Sequence, residues 1–305
     1  MIKRKSTFRH RLEQAVVSRV AWLFSLLAQR VSLRALRGVA DAAAGLVMAL
    51  FQRRQRLAEA NIAAAFPEMS ASQRTAVRHD SVRSICRTML ELLKLPSIGP
   101  AELAELIVLK DFEPVRAALA EGHGLIVVTG HFGNWEWLGA RLAQEGSVAV
   151  VARDAPHTLT ASLINQARQR HGLEVVGRED TRQMLRILRN GGILGIVPDQ
   201  HALRGGVLVD FLGRPCWTST GPALLAARTG ARLFPAFCRR LPDGTFEAQV
   251  LPEIKLVDTG DREADLITNT RLVNEAIENE IRAYPEQWLW MHDRWKKAHL
   301  GEQAD

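Results

Sequence analysis

Within the run Thr129-Gly130-His131-Phe132-Gly133-Asn134-Trp135-Glu136, a histidine and a carboxylate stand five positions apart with two glycines around them. Those residue types suit proton transfer. A neutral imidazole titrates near pH 7 and takes a proton from a hydroxyl. A carboxylate on its other ring nitrogen fixes the tautomer and offsets the charge that develops. Five residues in a regular helix lie roughly 140° apart around the axis, so the pair meets only if the chain turns between them. Gly130 and Gly133 permit such a turn, and Asn134 suits the N-cap of the helix that follows. Glu136 then falls in the first helical turn, where the dipole favours an anion, and from there it reaches back to His131. On this reading His131 is a general base, Glu136 orients it, and the chemistry is acyl transfer to a hydroxyl that the substrate supplies. Backbone N–H groups near the Gly133 turn are candidates for holding the oxyanion, which makes Gly133 and Asn134 substrate-binding positions. The competing reading is a structural histidine at a strand end.

The elements around this segment must position it. Leu125–Thr129 reads as a buried strand, and strand candidates recur at Val148–Arg153, Leu173–Gly177, Ile193–Asp199, Val207–Phe211, Leu233–Arg239 and Phe246–Leu251. Helical patterns fall at Asn134–Gln144, Thr158–Arg170, Thr181–Arg189, Gly221–Thr229 and Arg262–Ala283. Such alternation predicts an α/β fold with a mixed, mainly parallel sheet flanked by helices. Open sheets of this kind take ligands at the carboxyl ends of their strands. His131, Arg153 and Asp199 each close a strand, so topology alone carries them to one rim. Asp199 suits orientation of Arg153 or of a loop, and equally a purely structural role. Asp199 with His201 lacks the further ligands that a metal site needs, so no metal is expected.

Composition narrows the class. Of 305 residues 47% are hydrophobic and 24% charged, which fits a globular chain and excludes wholesale disorder. The net charge of +7 points to an acidic partner. Three scattered cysteines offer neither a zinc motif nor a disulfide framework. Residues 1–55 differ from the rest: a basic start is followed by apolar stretches at Val16–Ala28 and Val39–Phe51, with arginines beside them. Both are shorter than the roughly 20 apolar residues of a spanning helix. They read as a helical, membrane-associating segment lying in the interface, with a core-packing helix pair or a single span at Val39–Phe51 as the alternatives. Residues 56–305 form the α/β domain on this division.

Several blocks, taken in order, resemble one family. His131-Phe132-Gly133-Asn134-Trp135-Glu136 is similar to the histidine–carboxylate motif of the lysophospholipid acyltransferase superfamily, in the form carried by the lipid A biosynthesis acyltransferases. Arg56–Ile62, Phe66-Pro67-Glu68, Glu91, Val151-Ala152-Arg153, Pro198-Asp199-Gln200, Asp210–Pro215 and the closing Pro285–Lys296 block match further stretches of that family. Gly130 and Glu136 stand where the wider superfamily has Asn and Asp, which favours the lipid A branch. The resemblance implies a cytoplasmic-face inner-membrane enzyme that uses no cofactor. It would move a fatty acyl chain from an acyl carrier protein thioester to a hydroxyl of a lipid A precursor. It also implies that Arg153 contacts phosphate on an anionic acceptor, and that nucleic acid is not a partner. Acylation of another phospholipid or glycolipid is the alternative within the enzyme class. A non-catalytic basic protein of membrane surfaces is the alternative outside it.

Overall fold

The computed structural model describes residues 19, 23–152, 159–202 and 205–296. In chain order, α1 covers residues 23–30, followed by α2 (Leu33–Leu50), α3 (Gln52–Ala65), α4 (Ala71–Lys94), α5 (Pro100–Leu106), β1 (Ile107–Lys110) and α6 (Glu113–Ala120). The alternating region runs β2 (Leu125–Val128), α7 (Trp135–Leu142), β3 (Val148–Ala152), α8 (Leu159–Arg170), β4 (Leu173–Gly177), α9 (Thr181–Arg189) and β5 (Ile193–Ile196). Then come β6 (Gly206–Phe211), β7 (Arg214–Ser219), α10 (Gly221–Thr229), β8 (Arg232–Arg240), β9 (Phe246–Val250) and α11 (Arg262–Ala283).

Four successive apolar residues make β2 a strand buried on both faces, as expected for the centre of a parallel sheet. Ile126 and Val128 enter one apolar cluster and Leu125 and Val127 the other, because successive strand side chains point to opposite faces. The sheet has seven strands in the order β1-β9-β8-β2-β5-β3-β4. Every neighbouring pair is parallel except β8 with β9. The expected mixed, mainly parallel α/β architecture is what forms.

Two strands escape the sequence pattern. β1 is a four-residue edge strand whose short apolar run, Ile107-Val108-Leu109, directly continues α5 and has no turn signal before it to set it apart as a strand. β7 begins Arg-Pro and pairs with β6 in a separate antiparallel hairpin. Its two-residue loop, Leu212-Gly213, has positive φ at both positions, the geometry whose twist matches paired strands.

Ahead of the sheet, α2 lies against α4. Arg37 Nε meets Glu91 Oε1 at 2.6 Å, and Arg87 grips the Asp41 carboxylate with two bonds of 2.7 Å. Among the described residues no helix is long and apolar enough to cross a membrane. Of the expected Val16–Ala28 helix, residues 23–28 fall in α1, while residues 16–18 and 20–22 lie outside the described residues.

Candidate active site

His131 stands three residues beyond the end of β2, and Asp199 three residues beyond the end of β5. These strands are parallel neighbours, so both side chains reach the same rim. Asp199 Oδ1 accepts from His131 Nδ1 at 2.7 Å, and its Oδ2 accepts from the His131 backbone N–H at 2.7 Å. Trp288 Nε1 also donates to Oδ2, at 2.8 Å. Pro198 helps set this geometry: it offers no N–H to a strand ladder, so the expected Ile193–Asp199 strand stops at Ile196 and the chain turns out of the sheet.

A carboxylate only accepts, so Nδ1 carries the imidazole proton and Nε2 presents its lone pair. Burial works against the charged forms of both groups. In His131 the charge and hydrogen bond of Asp199, with the more distant charge of Glu136, outweigh burial and hold the imidazole above its ordinary range. In Asp199 burial is outweighed by the charge and hydrogen bonds of His131 and by the Trp288 donor, and its pKa falls to about 2. The pair has the features of a base: a fixed tautomer and a carboxylate held ionised near pH 7.

Glu136 sits in the first turn of α7, as expected, but the structure gives its carboxylate to another partner. Arg168 Nε donates to Oε2 at 2.9 Å and Arg168 Nη2 to Oε1 at 2.7 Å, with Trp135 Nε1 adding a third bond at 3.2 Å. The reach back to His131 is taken by Asp199 because β5 brings that carboxylate directly beside the ring. Glu136 acts on His131 through charge, with no hydrogen bond between them. Trp135 packs against the imidazole, their ring centroids 5.1 Å apart.

Gly133 and Asn134 also depart from expectation. The Gly133 N–H donates to Gln287 O and the Asn134 N–H to Cys238 O, each at 2.9 Å, so neither is open to an oxyanion. Gly133 adopts a φ of 53°, and a Cβ there would lie 2.0 Å from Cys238 O. Asn134 Oδ1 caps α7 by accepting from the Trp137 N–H at 3.1 Å, while its Nδ2 donates to Glu91 Oε2 at 2.9 Å. Glu91, wholly buried, is gripped by Arg240 at 2.6 and 2.8 Å as well as by Arg37. This network fixes the turn after His131 from behind.

The closing Pro285–Lys296 block turns inward. Trp288, Trp290 and Trp295 are buried. Arg294, also buried, donates to Gln200 O at 3.1 Å, to Trp217 O at 2.6 Å and to Thr218 Oγ1 at 2.6 Å. His292 Nε2 accepts from the His201 N–H at 3.2 Å. Burial pushes the His292 pKa down to about 4, so it is a neutral acceptor near pH 7. Residues 199–201 are therefore each braced by one residue of this block.

From His131 a cavity of about 520 Å³ runs under the rim between α7 and the sheet. Trp135, Glu136, Arg168 and Gln200 line it near His131. Deeper walls come from Leu138, Gly139 and Leu142 of α7, Val148 and Val150 of β3, Leu173 of β4, and Ile193 and Gly195 of β5. The β3 residues Val148 to Ala152 alone extend it by roughly 13 Å, at about 3.3 Å per residue. A recess of that length, with apolar deeper walls beneath a base, suits an alkyl chain. Arg153 lies outside the described residues. Among those described, no cluster of His, Cys, Asp and Glu could hold a metal ion.

The sequence held only weak signals for the contacts of Arg168 and for the partner that Asp199 takes in place of Arg153 or a loop. Arg168 stood in the expected Thr158–Arg170 helix, to which no site role was given. Asp199 was marked by its strand end, but its partner required knowing that β2 and β5 are adjacent.

A strand-end base with a carboxylate support, opening on an apolar recess within a parallel α/β sheet, defines an acyltransferase class of site. The chain belongs to the bacterial lipid A biosynthesis acyltransferases, whose family model matches residues 1–297. It is 31% identical over 224 residues to a phosphatidylinositol mannoside acyltransferase of Mycobacterium tuberculosis, covering 70% of this chain and 69% of that protein. To the lipid A biosynthesis lauroyltransferase of Escherichia coli it is 28% identical over 261 residues, covering 84% and 83%. The lipid A biosynthesis palmitoleoyltransferase of the same organism is 23% identical over 256 residues, with 83% and 82% covered. The protein is an O-acyltransferase.

Proposed function

We propose that the enzyme moves a fatty acyl chain from an acyl carrier protein thioester to a hydroxyl of a lipid A precursor, at the cytoplasmic face of the inner membrane. The observation that carries the chemistry is the His131–Asp199 pair at the mouth of the apolar cavity. His131 Nε2 takes the acceptor hydroxyl proton as the oxygen attacks the thioester carbonyl carbon. The tetrahedral oxyanion collapses, the C–S bond breaks, and the proton passes from Nε2 to the departing thiolate. Asp199 stabilises the imidazolium between these steps. Glu136 contributes negative charge from the cavity wall and holds Arg168 there. Arg153, which follows the cavity-lining Ala152 in sequence, is the proposed contact for acceptor phosphate, where a planar guanidinium suits the ligand.

Membrane attachment is supported by α2. Its exposed side from Ala35 onward is Ala35, Gly38, Val39, Ala42, Gly45, Leu46, Ala49 and Leu50, with no charged residue among them. Leu23, Phe24, Leu27 and Val31 of the preceding segment are exposed as well. Exposed Arg30 and Arg34 stand near one end of this apolar side, and Arg53, Arg54 and Arg56 follow the other. An uncharged face with basic margins fits an anionic lipid surface.

A second reading, acylation of a different glycolipid, has a specific motive: the similarity to the phosphatidylinositol mannoside acyltransferase matches or exceeds that to the lipid A enzymes. One experiment separates the two. Lipids from a strain lacking the gene are analysed by mass spectrometry, with complementation by wild type and by His131→Ala. A missing secondary acyl chain on lipid A, restored only by wild type, is the expected result. An unchanged lipid A profile with loss of an acyl chain elsewhere would shift the acceptor assignment. Full complementation by His131→Ala would end the mechanism, since losing a general base costs roughly 100- to 10,000-fold.

A further inference from the structure

Only Nε2 of His131 is free to act as base, because Nδ1 holds the ring proton and donates it in a hydrogen bond to Asp199. That nitrogen is already occupied. Gln200 Nε2 lies 3.2 Å from His131 Nε2. With the imidazole neutral and its proton on Nδ1, the carboxamide N–H is the donor and the ring lone pair the acceptor. The Gln200 side chain therefore stands where an attacking hydroxyl must place its own hydrogen.

The backbone around this side chain is held firmly. Arg294 donates to the Gln200 carbonyl, the His201 N–H donates to His292, and Asp199 takes the His131 backbone N–H. Among the described residues the carboxamide itself has one hydrogen bond, the one to His131. Its backbone is anchored while its side-chain torsions stay free to turn away.

From this arrangement we infer that Gln200 is a gate on the catalytic base: it fills the hydroxyl position at Nε2 until the lipid acceptor displaces it. The inference rests on the acyl-transfer reading above and adds the control of its first step. An acceptor lipid is held by its other groups, and that binding energy supplies the displacement. A water molecule has no such anchor and must compete with a tethered donor for the same lone pair. The gate thus suppresses hydrolysis, in which water oxygen attacks the carbonyl carbon, the C–S bond breaks, and the proton passes through His131 to the thiolate. Gln200 works through His131 and is a positioning residue.

The test uses the full-length protein in detergent micelles, with dodecanoyl-coenzyme A and no acceptor, following thiol release. In Gln200→Ala, hydrolysis is expected to rise roughly 3- to 10-fold over wild type, the value of one neutral hydrogen bond. Gln200→Glu gives a second readout that a merely structural role would not move. A carboxylate beside Nε2 favours the imidazolium, so the acidic limb of the pH–rate profile is expected to move to higher pH. Hydrolysis in Gln200→Ala at or below the wild-type rate would overturn the gate, as would an unmoved limb in Gln200→Glu. His131→Ala separates the two levels of the argument. Wild-type turnover that survives His131→Ala sinks the acyl-transfer mechanism, whereas His131-dependent hydrolysis indifferent to Gln200 sinks the gate alone.

Discussion

His131 and Asp199 are 68 residues apart, the same offset that pairs β2 with β5 from Leu125–Ile193 to Val128–Ile196. The proposed catalytic pair continues the strand register past the end of the sheet. Its geometry is therefore fixed by two buried parallel strands, and the contact needs no helix to carry it. This relationship leads to a direct expectation about pH. The rate should fall as pH drops through the His131 pKa, and that limb should lie above about 6.5, the ordinary imidazole value. Asp199→Asn removes the charge that raises it and leaves burial, which lowers it, so the limb should move to lower pH. The same variant should lose roughly 100- to 10,000-fold in kcat. A pH–rate profile of Asp199→Asn that superimposes on wild type would remove Asp199 from the mechanism.

Glu136 and Arg168 should behave as one unit. Both oxygens of Glu136 are taken by Arg168, and both groups are largely buried. Removing either leaves an unpaired charge in the cavity wall, so each single variant to Ala should lose activity. The double variant should lose much less than the product of the two losses, with a coupling of about 1–3 kcal/mol. A double-mutant cycle on kcat/KM checks this, and additive losses would mean that Glu136 acts without Arg168.

The depth of the recess should decide chain length at Gly139. A Cβ there would lie 2.7 Å from Leu173 Cδ2, and that side chain would have to shift into the cavity or away from it. Gly139→Val fills space that an alkyl chain would occupy, so preference should move to shorter donors. Competition between acyl thioesters of two lengths gives the readout, and an unchanged product ratio would place the chain elsewhere.

The uncharged side of α2 should hold the protein on lipid. Leu46→Glu combined with Leu50→Glu removes two exposed leucines, each worth about 1.5–3 kcal/mol when buried. Partition to vesicles of anionic phospholipid should weaken by at least roughly 10-fold, while salt alone should release wild type only in part. Equal sedimentation of wild type and variant would exclude this face from the contact.

The sequence by itself determined what local pattern controls. Apolar runs and helical spacing fixed the strand–helix alternation from Leu125 to Thr229, because backbone geometry dictates which periodicity can bury a face. The strand-end placement of His131, the Asn134 cap and the first-turn position of Glu136 are equally local, and all three form as the residue types require. The order of motif blocks along the chain also carried the family. Tertiary structure alone decided who meets whom. Strand order is set by packing across the whole sheet, so the adjacency of β2 and β5, and with it the His131–Asp199 bond, has no local signature. The same applies to Arg168, brought to Glu136 from α8, and to the Pro285–Lys296 block. Its tryptophans and Arg294 look equally suited to a membrane surface until the loop at 199–201, far away in sequence, offers them acceptors and donors in the interior. A buried arginine is tolerable only with such partners, and only the folded chain brings them together.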